Sequence, residues 1–302
     1  MTALIALLTD ALVRSTPLMI TGLAVALAFR GGVFNIGAEG QLLVGAIAST
    51  AVTLGLQSSL GRFVLLPAFL AGALAGGAWA GIAAELKRRF HVLEIISTIM
   101  LNFVAIHLVS LLVRGPMQEP TRIYPQSSTI LETARLPLLV SGTRLHVGLA
   151  VAALIAVALF FFFDKTAAGF KIRAAGASPS AARITGRINI DKLGSLVFVA
   201  SGALAGLAGS IEVNGVTFAL YENLSPGYGY TAIAVALIAG LNPLWVIASA
   251  IFFGVLETGA IALQREFAIP SAMASVVEAL LILGVLAFAA LKGRQLIRSA
   301  SA

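Results

Sequence analysis

No cysteine occurs among the 302 residues, and charge is scarce: Asp, Glu, Lys and Arg make up 11%, against roughly a quarter in a soluble domain. The first absence excludes disulfides and thiolate metal sites, so no redox compartment can be read. Catalytic signatures are missing as well. The chain has no GxxxxGK[ST] phosphate loop, no HExxH and no GxSxG, and its three histidines, His91, His107 and His146, sit in separate elements without ligand spacing. These gaps argue against an active site within the chain. A formal net charge of +7 resembles a nucleic-acid signal only until the basic residues are placed. They fall in loops, where they orient a chain in a membrane, so no nucleic-acid partner is expected.

What the chain has in abundance is apolar side chains, 59% of the total, with a mean hydropathy of +0.99. A bilayer span needs roughly 20 mostly apolar residues, and irregular backbone is excluded from lipid. The expected fold is therefore all-α, a polytopic transmembrane helical bundle forming one transmembrane domain, 1–302. Apolar windows fall at about 4–29, 34–54, 63–84, 93–113, 145–163, 193–212, 229–261 and 271–291. The seventh is too long for one span and contains Gly240, Asn242 and Pro243. An Asn-Pro pair disfavours a continuous helix, so the window divides before Leu241 and after Leu244. Eight or nine membrane elements result, some of them discontinuous. With no basic leader and no small-residue cleavage site, a removable signal peptide is not expected.

Lys87, Arg88 and Arg89, then Lys165, Lys171, Arg173, Arg183, Arg187 and Lys192, and finally Lys292, Arg294 and Arg298 mark three cytoplasmic segments, with Arg30 on the same side. This alternation puts the C-terminus in the cytoplasm and Met1 outside. Two connections are long: 114–144, polar with four prolines, reads as an ordered external loop, and 164–192 is a basic cytoplasmic loop with a helix expected from Ala174 to Arg187. Gly72, Gly76 and Ala80 recur every fourth residue, as do Gly77 with Gly81 and Gly202 with Gly206. Such stripes let helix backbones approach closely and imply packing without chemistry. TGLAVALAF at 21–29 and TAIAVALIA at 231–239 echo one another faintly.

The polar residues inside apolar windows are the candidates for chemistry. GVFNIGAEGQLLVGA, 32–46, places Asn35, Glu39 and Gln41 among glycines at the start of a span. A helix beginning near Ile36 would leave unpaired amides there, and its dipole would favour Glu39 in the first turn. Broken helices of this kind line transporter cavities, although a plain cytoplasmic capping turn fits equally. Glu94, Thr98 and Asn102 are four apart and share one helix face, with Ser97 beside it. For Asn102 a solute path and an interhelical hydrogen bond stay open; for Glu94, near the cytoplasmic end, a structural role is expected. Glu257 and Glu278 read as paired structural residues. Glu212 and Asn214 are expected in an outer, partly re-entrant loop over 212–230. The candidate pathway set is Asn35, Glu39, Gln41, Thr98, Asn102 and Asn214.

GLAVALAFRGGVFNIGAEGQLLVGA, STIMLNFVAIH at 97–107 and GFKIRAAGASPSAARITGRI at 169–188 together resemble the membrane subunits of bacterial ABC importers in the branched-chain amino acid and simple sugar permease family, nucleoside branch. The similarity runs from about Pro17 to the end. It implies an ATP-driven permease subunit of the cytoplasmic membrane that moves a nucleoside or a simple sugar. The partners it implies are a cytosolic ABC ATPase, a second permease subunit in a homodimer or heterodimer, and an extracytoplasmic binding protein. No cofactor is expected on this chain; ATP and Mg²⁺ belong to the ATPase. The third motif, Gly169, Arg173, Ala174, Gly176 and Gly186 with Ala181 or Ala182, implies a coupling helix that docks on that ATPase. Its expected contacts are Arg173, Gly176, Ala177, Ser178, Pro179, Ala182, Arg183 and Gly186. Members of the family commonly start with one more inward-started helix, which agrees with an external Met1 and implies a shortened start. The competing class is an ion-coupled secondary transporter using Glu39, Glu257 and Glu278; a passive channel or scaffold is a third.

Overall fold

A computed structural model describes residues 2–184, 186, 188–267 and a few isolated positions between 273 and 284. The expected span 271–291, Glu278, Arg187 and the basic tail therefore lie outside the described residues. Within them the chain is all-helical: α1 (Thr2–Arg30), α2 (Ala38–Leu60), α3 (Leu65–Phe90), α4 (Glu94–Val113), α5 (Gly148–Lys165), α6 (Ala167–Ala177), α7 (Pro179–Ile184), α8 (Ile190–Glu212), α9 (Tyr228–Ile238) and α10 (Pro243–Phe267). Six helical stretches are long and apolar enough to cross a membrane, and the second, Ala38–Phe90, reverses at Gly61 into α2 and α3. The only β pairing among the described residues is isolated bridges, such as Gln118 with Ser127.

α1 is the axis of the bundle. It packs on α8, α9, α10 and α5, and 83% of its apolar window is buried, against 22% for the peripheral α5. The segments that echo each other in sequence are neighbours here, Gly22 of α1 lying against Val235 of α9.

The small-residue stripes meet one another. α3 runs antiparallel to α8, so Gly72 faces Gly206 and Ser210, Gly76 faces Gly202 and Gly206, and Ala80 faces Gly202; Gly45 of α2 closes on Gly206 from the other side. Three backbones converge at a seam with no room for a methyl group, and close dispersion contact replaces the hydrophobic drive that lipid cannot supply.

The division of the long apolar window is present. Gly240 and Leu241 both take left-handed conformations, α10 starts at Pro243, and Asn242 Oδ1 accepts from Leu244 N at 3.0 Å, capping its first turn. α9 has 11 residues, about 16 Å at 1.5 Å per residue, too short to cross. The expected loop at 212–217 is a correction: α8 continues from Glu212 into a π-helical turn, Val213–Thr217, which buries Glu212 and Asn214 in the bundle. The wider turn carries the helix past the point where EVNG suggested a break. A second correction concerns the basic loop 164–192. One helix from Ala174 to Arg187 is replaced by α6 and the short α7, separated by Ser178 in an extended conformation, because Pro179 disfavours the helical region for the residue before it.

The segment 114–147 is ordered, as expected. Arg114 grips Glu222 through two hydrogen bonds of 2.6 and 2.8 Å, Gln57 Oε1 accepts from Leu131 N, and Ile130 and Ala134 are buried. His146 is fully buried there. Its Nδ1 accepts from Gly148 N at 3.1 Å, which puts the proton on Nε2, a position with no hydrogen-bond partner among the described residues.

Two measurements check these contacts. Gly206→Leu should lower stability by about 1–3 kcal/mol or more through overpacking, whereas Gly55→Ala, at a helical position with open space around it, should be neutral or stabilising by up to ~1 kcal/mol; thermal melts in detergent compare the two. Burial, aided by Arg144, lowers the His146 pKa from 6.5 to about 4. Between those values the unfolded chain binds a proton that the folded chain does not, so stability rises with pH across the window and is full above it. The melting temperature should therefore fall on acidification from pH 7 to pH 4.5, and less so in His146→Gln.

Candidate functional site

The start of α2 presents a problem that the sequence solves with side chains. The first turn of any helix has amides without intrahelical partners, and a bilayer offers no water to them. Asn35 Oδ1 accepts from Gly37 N at 2.9 Å, and Asn102 Oδ1, from α4, accepts from Gly40 N at 2.8 Å. Asn102 Nδ2 donates to Ile36 O at 3.0 Å and to Tyr230 Oη at 3.3 Å. Asn35 and Gln41 exchange hydrogen bonds of 2.8 and 3.0 Å. Asn35 Nδ2 also donates to Ser201 Oγ, which in turn donates to Ala24 O at 2.6 Å. Five helices, α1, α2, α4, α8 and α9, are thus tied to one break in the chain.

Glu39 does not serve its own helix alone. Its Oε2 accepts from Gly229 N at 2.6 Å, the second residue of α9, with the Ser225 hydroxyl as a further partner. The carboxylate is placed where the exposed amides of α9 need an acceptor. Gly229 has to be glycine, because a methyl group there would land on the Glu39 backbone. Glu94 repeats the arrangement at the basic end: Oε1 accepts from Phe34 N at 3.0 Å, and the carboxylate pairs with Lys87.

Of the six pathway candidates, Asn35, Glu39, Gln41 and Asn102 come together, and Thr98 packs against Gly37. Asn214 lies apart, bonded to Ser49 Oγ, Thr53 Oγ1 and Ser210 O at 2.8–3.0 Å. All six are buried and none lines either of the two large cavities. The coupling candidates divide between two faces. Gly176 is pressed on the Arg30 carbonyl and Gly32 at the end of α1, and Ala182 is buried. Ala177, Pro179, Arg183 and Gly186 are exposed, together with Ile184, while Arg173 pairs with Asp164 at 3.4 Å and Arg183 with Asp191 at 3.8 Å.

Sequence reasoning passed over two features. Ser201, Tyr230 and Gly229 complete the polar knot, and nothing in their local pattern marks them. At the end opposite the basic loops, a cavity of about 750 Å³ is lined by Asp10, Arg14, Glu212, Tyr221 and Tyr228 among others, and Arg14 lies 3.8 Å from Glu257. The available signal was Asp10 and Arg14 interrupting the first apolar window, since intramembrane charges mark function or a paired partner.

Replacing Asn102 with Leu strands Gly40 N and Ile36 O, at about 1–3 kcal/mol for each group left without a partner. The purified Asn102→Leu protein should melt well below wild type; an unchanged melt would assign Asn102 to the solute path rather than to the knot.

Three relatives align along most of their length. A glucose ABC transporter permease protein of Haloferax volcanii is 40% identical over 287 residues, 91% of this chain and 75% of the relative. A guanosine ABC transporter permease protein of Bacillus subtilis is 38% identical over 275 residues, 89% and 78% of the two chains. A nucleoside ABC transporter permease protein of Lactococcus lactis is 30% identical over 277 residues, 88% and 75%. No solved structure matches the chain. Residues 7–286 match the family described as branched-chain amino acid transport system / permease component, and with its apolar helices this makes the chain a multi-pass membrane protein that belongs to that permease family.

Proposed function

We propose that the chain is the membrane subunit of an ATP-driven importer for a nucleoside or a sugar, working in the cytoplasmic membrane with its basic loops and C-terminus inside. The observation that carries this reading is the similarity, along nearly the whole chain, to permeases named for glucose, guanosine and nucleosides. A neutral, polar solute also suits the uncharged polar side chains buried in the bundle, such as Asn35, Gln41, Thr98 and Ser201. Its partners would be a cytosolic ATPase that binds ATP and Mg²⁺, a second permease subunit, and an extracytoplasmic binding protein.

The geometry supplies a route for mechanical coupling. The exposed face of α6 and α7, with Ala177, Pro179, Arg183, Ile184 and Gly186, is the surface offered to the ATPase. The opposite face, through Gly176, sits on Arg30 and Gly32, two residues before the chain enters the knot at Phe34 and Asn35. A push on the hairpin therefore reaches the break before α2 through packed backbone rather than through a flexible side chain. Alternating access needs two packings of the helices with a small energy gap, biased by the state of the ATPase.

Uptake by the assembled transporter should vanish when the ATPase carries a substitution that abolishes hydrolysis, and should persist when proton and sodium gradients are collapsed. Loss of uptake with the gradients, and its survival with the inactive ATPase, would establish the ion-coupled alternative instead. Ile184→Asp, at a side chain 80% exposed, should weaken co-purification of the ATPase while leaving the melting temperature unchanged.

A further inference from the structure

The cavity at the end opposite the basic loops is walled by α1, the end of α8 with its π turn, the 218–228 segment and α10. Its volume, about 750 Å³, falls within the range of sites that enclose small molecules. The lining is unlike a lipid-filled gap. Asp10, Arg14 and Glu212 bring charge to it, and Tyr221 and Tyr228 bring aromatic faces with hydroxyl groups. Tyr228 is 4% exposed.

Glu212 is the informative side chain. It is 3% exposed and lines the cavity, yet among the described residues no donor makes a hydrogen bond to its carboxyl group. Arg14, the nearest basic residue in electrostatic terms, is directed to Glu257 at 3.8 Å. A carboxyl group this buried, with no donor among the described residues, turns its hydrogen-bonding capacity to whatever occupies the cavity it lines. The elements that present it are rigid: α8 is pinned along its length by the glycine seam, and the π turn that follows is held by Asn214 through Ser49 and Thr53. The group is therefore held in place on the wall of the cavity.

Resting on the importer reading above, we propose that this cavity binds the transported solute through a vicinal diol on a neutral ring, with the Glu212 carboxyl group accepting the two hydroxyl protons. Two adjacent hydroxyl groups match the two oxygens of one carboxyl group, and the Arg14 guanidinium offers donors to the ring oxygens. Tyr228 presents an aromatic face of the kind on which a ring packs. A ribonucleoside and a hexose share this diol, so one site accommodates either class without a charged group on the solute. The knot around Asn35 and Asn102 is buried and bonded to its own partners, whereas the Glu212 carboxyl group lines the cavity without a donor among the described residues.

The test uses the complete transporter, with its ATPase and binding protein, in proteoliposomes. Uptake of guanosine is compared with that of 2′,3′-dideoxyguanosine, and uptake of glucose with that of 2,3-dideoxyglucose; whichever parent compound is taken up identifies the source of the diol. A site that bonds a hydroxyl group rejects an analogue lacking it, so Glu212→Gln should raise KM for the parent compound and cut the parent-to-analogue ratio by about tenfold or more. Glu212→Asp, which keeps the carboxyl group but withdraws it from the diol, is measured in parallel in case Glu212→Gln fails to assemble, and its ratio should fall as well. The binding protein is the same throughout, so a change in the ratio reports on the permease; a residue that only supports the fold would lower uptake of both compounds alike. An unchanged ratio in the variants that assemble overturns the proposal while leaving the importer reading in place. Absence of uptake of both parent compounds by the wild-type transporter removes the importer reading and this site with it.

Discussion

A helix that begins inside a packed bundle has to find acceptors for its first amides, and in this protein that requirement organises half the bundle. Asn102 reaches from α4 to the amide of Gly40 and the carbonyl of Ile36, and Asn35 turns back on Gly37 while holding Gln41 and Ser201. Because each partner lies on a different helix, satisfying the break also fixes the relative positions of α1, α2, α4 and α8. The same logic recurs at α9, whose half-length would be untenable in lipid without the Glu39 carboxylate at its start. A polar group that is fully bonded in a low-dielectric interior is worth keeping, and one that loses a single partner is costly. The break is therefore stable as long as all the helices remain in register.

Around this polar centre the bundle is held by contact rather than by hydrophobic burial. Gly45, Gly72, Gly76, Gly202 and Gly206 bring three backbones together, and the seam leaves α8 little freedom to slide. The basic hairpin of α6 and α7 bears on the opposite end of α1 through another glycine, Gly176. Rigid seams beside a single bonded break are the ingredients of a device with two discrete packings rather than a continuous deformation.

Much of this was legible from the chain alone. Apolar length gave the helices, the Asn242-Pro243 pair gave the division between α9 and α10, and four-residue glycine spacing gave the seam, because each signal acts locally. The polar pair Asn35 and Asn102 stood out for the same reason: amides are conspicuous in an apolar run. Their partners did not stand out. Ser201, Tyr230 and Gly229 are ordinary residues whose importance comes only from being brought across the bundle. The π turn after Glu212 was hidden because Asn214 and Gly215 carry the composition of a loop, and only the hydrogen bonds from Asn214 to Ser49 and Ser210 make helix the better solution. Gly176 had the right motif but its face was not readable, since which side of a short amphipathic segment packs inward depends on what lies against it. Asp10 and Arg14 were visible as charges inside the first apolar window, but only a cavity between helices distant in sequence gives them a place.

The burial of α1 has a consequence for how the protein is made. α1 precedes nearly every helix it packs against in the order of synthesis, and α8, α9 and α10 follow it by more than 150 residues. Until they arrive, the segment with Asp10 and Arg14 lacks the surroundings that accommodate its charges in the finished bundle. Biogenesis is then governed by the last helices rather than the first, and a ribosome that stalls before α8 would leave behind a chain whose innermost member faces lipid.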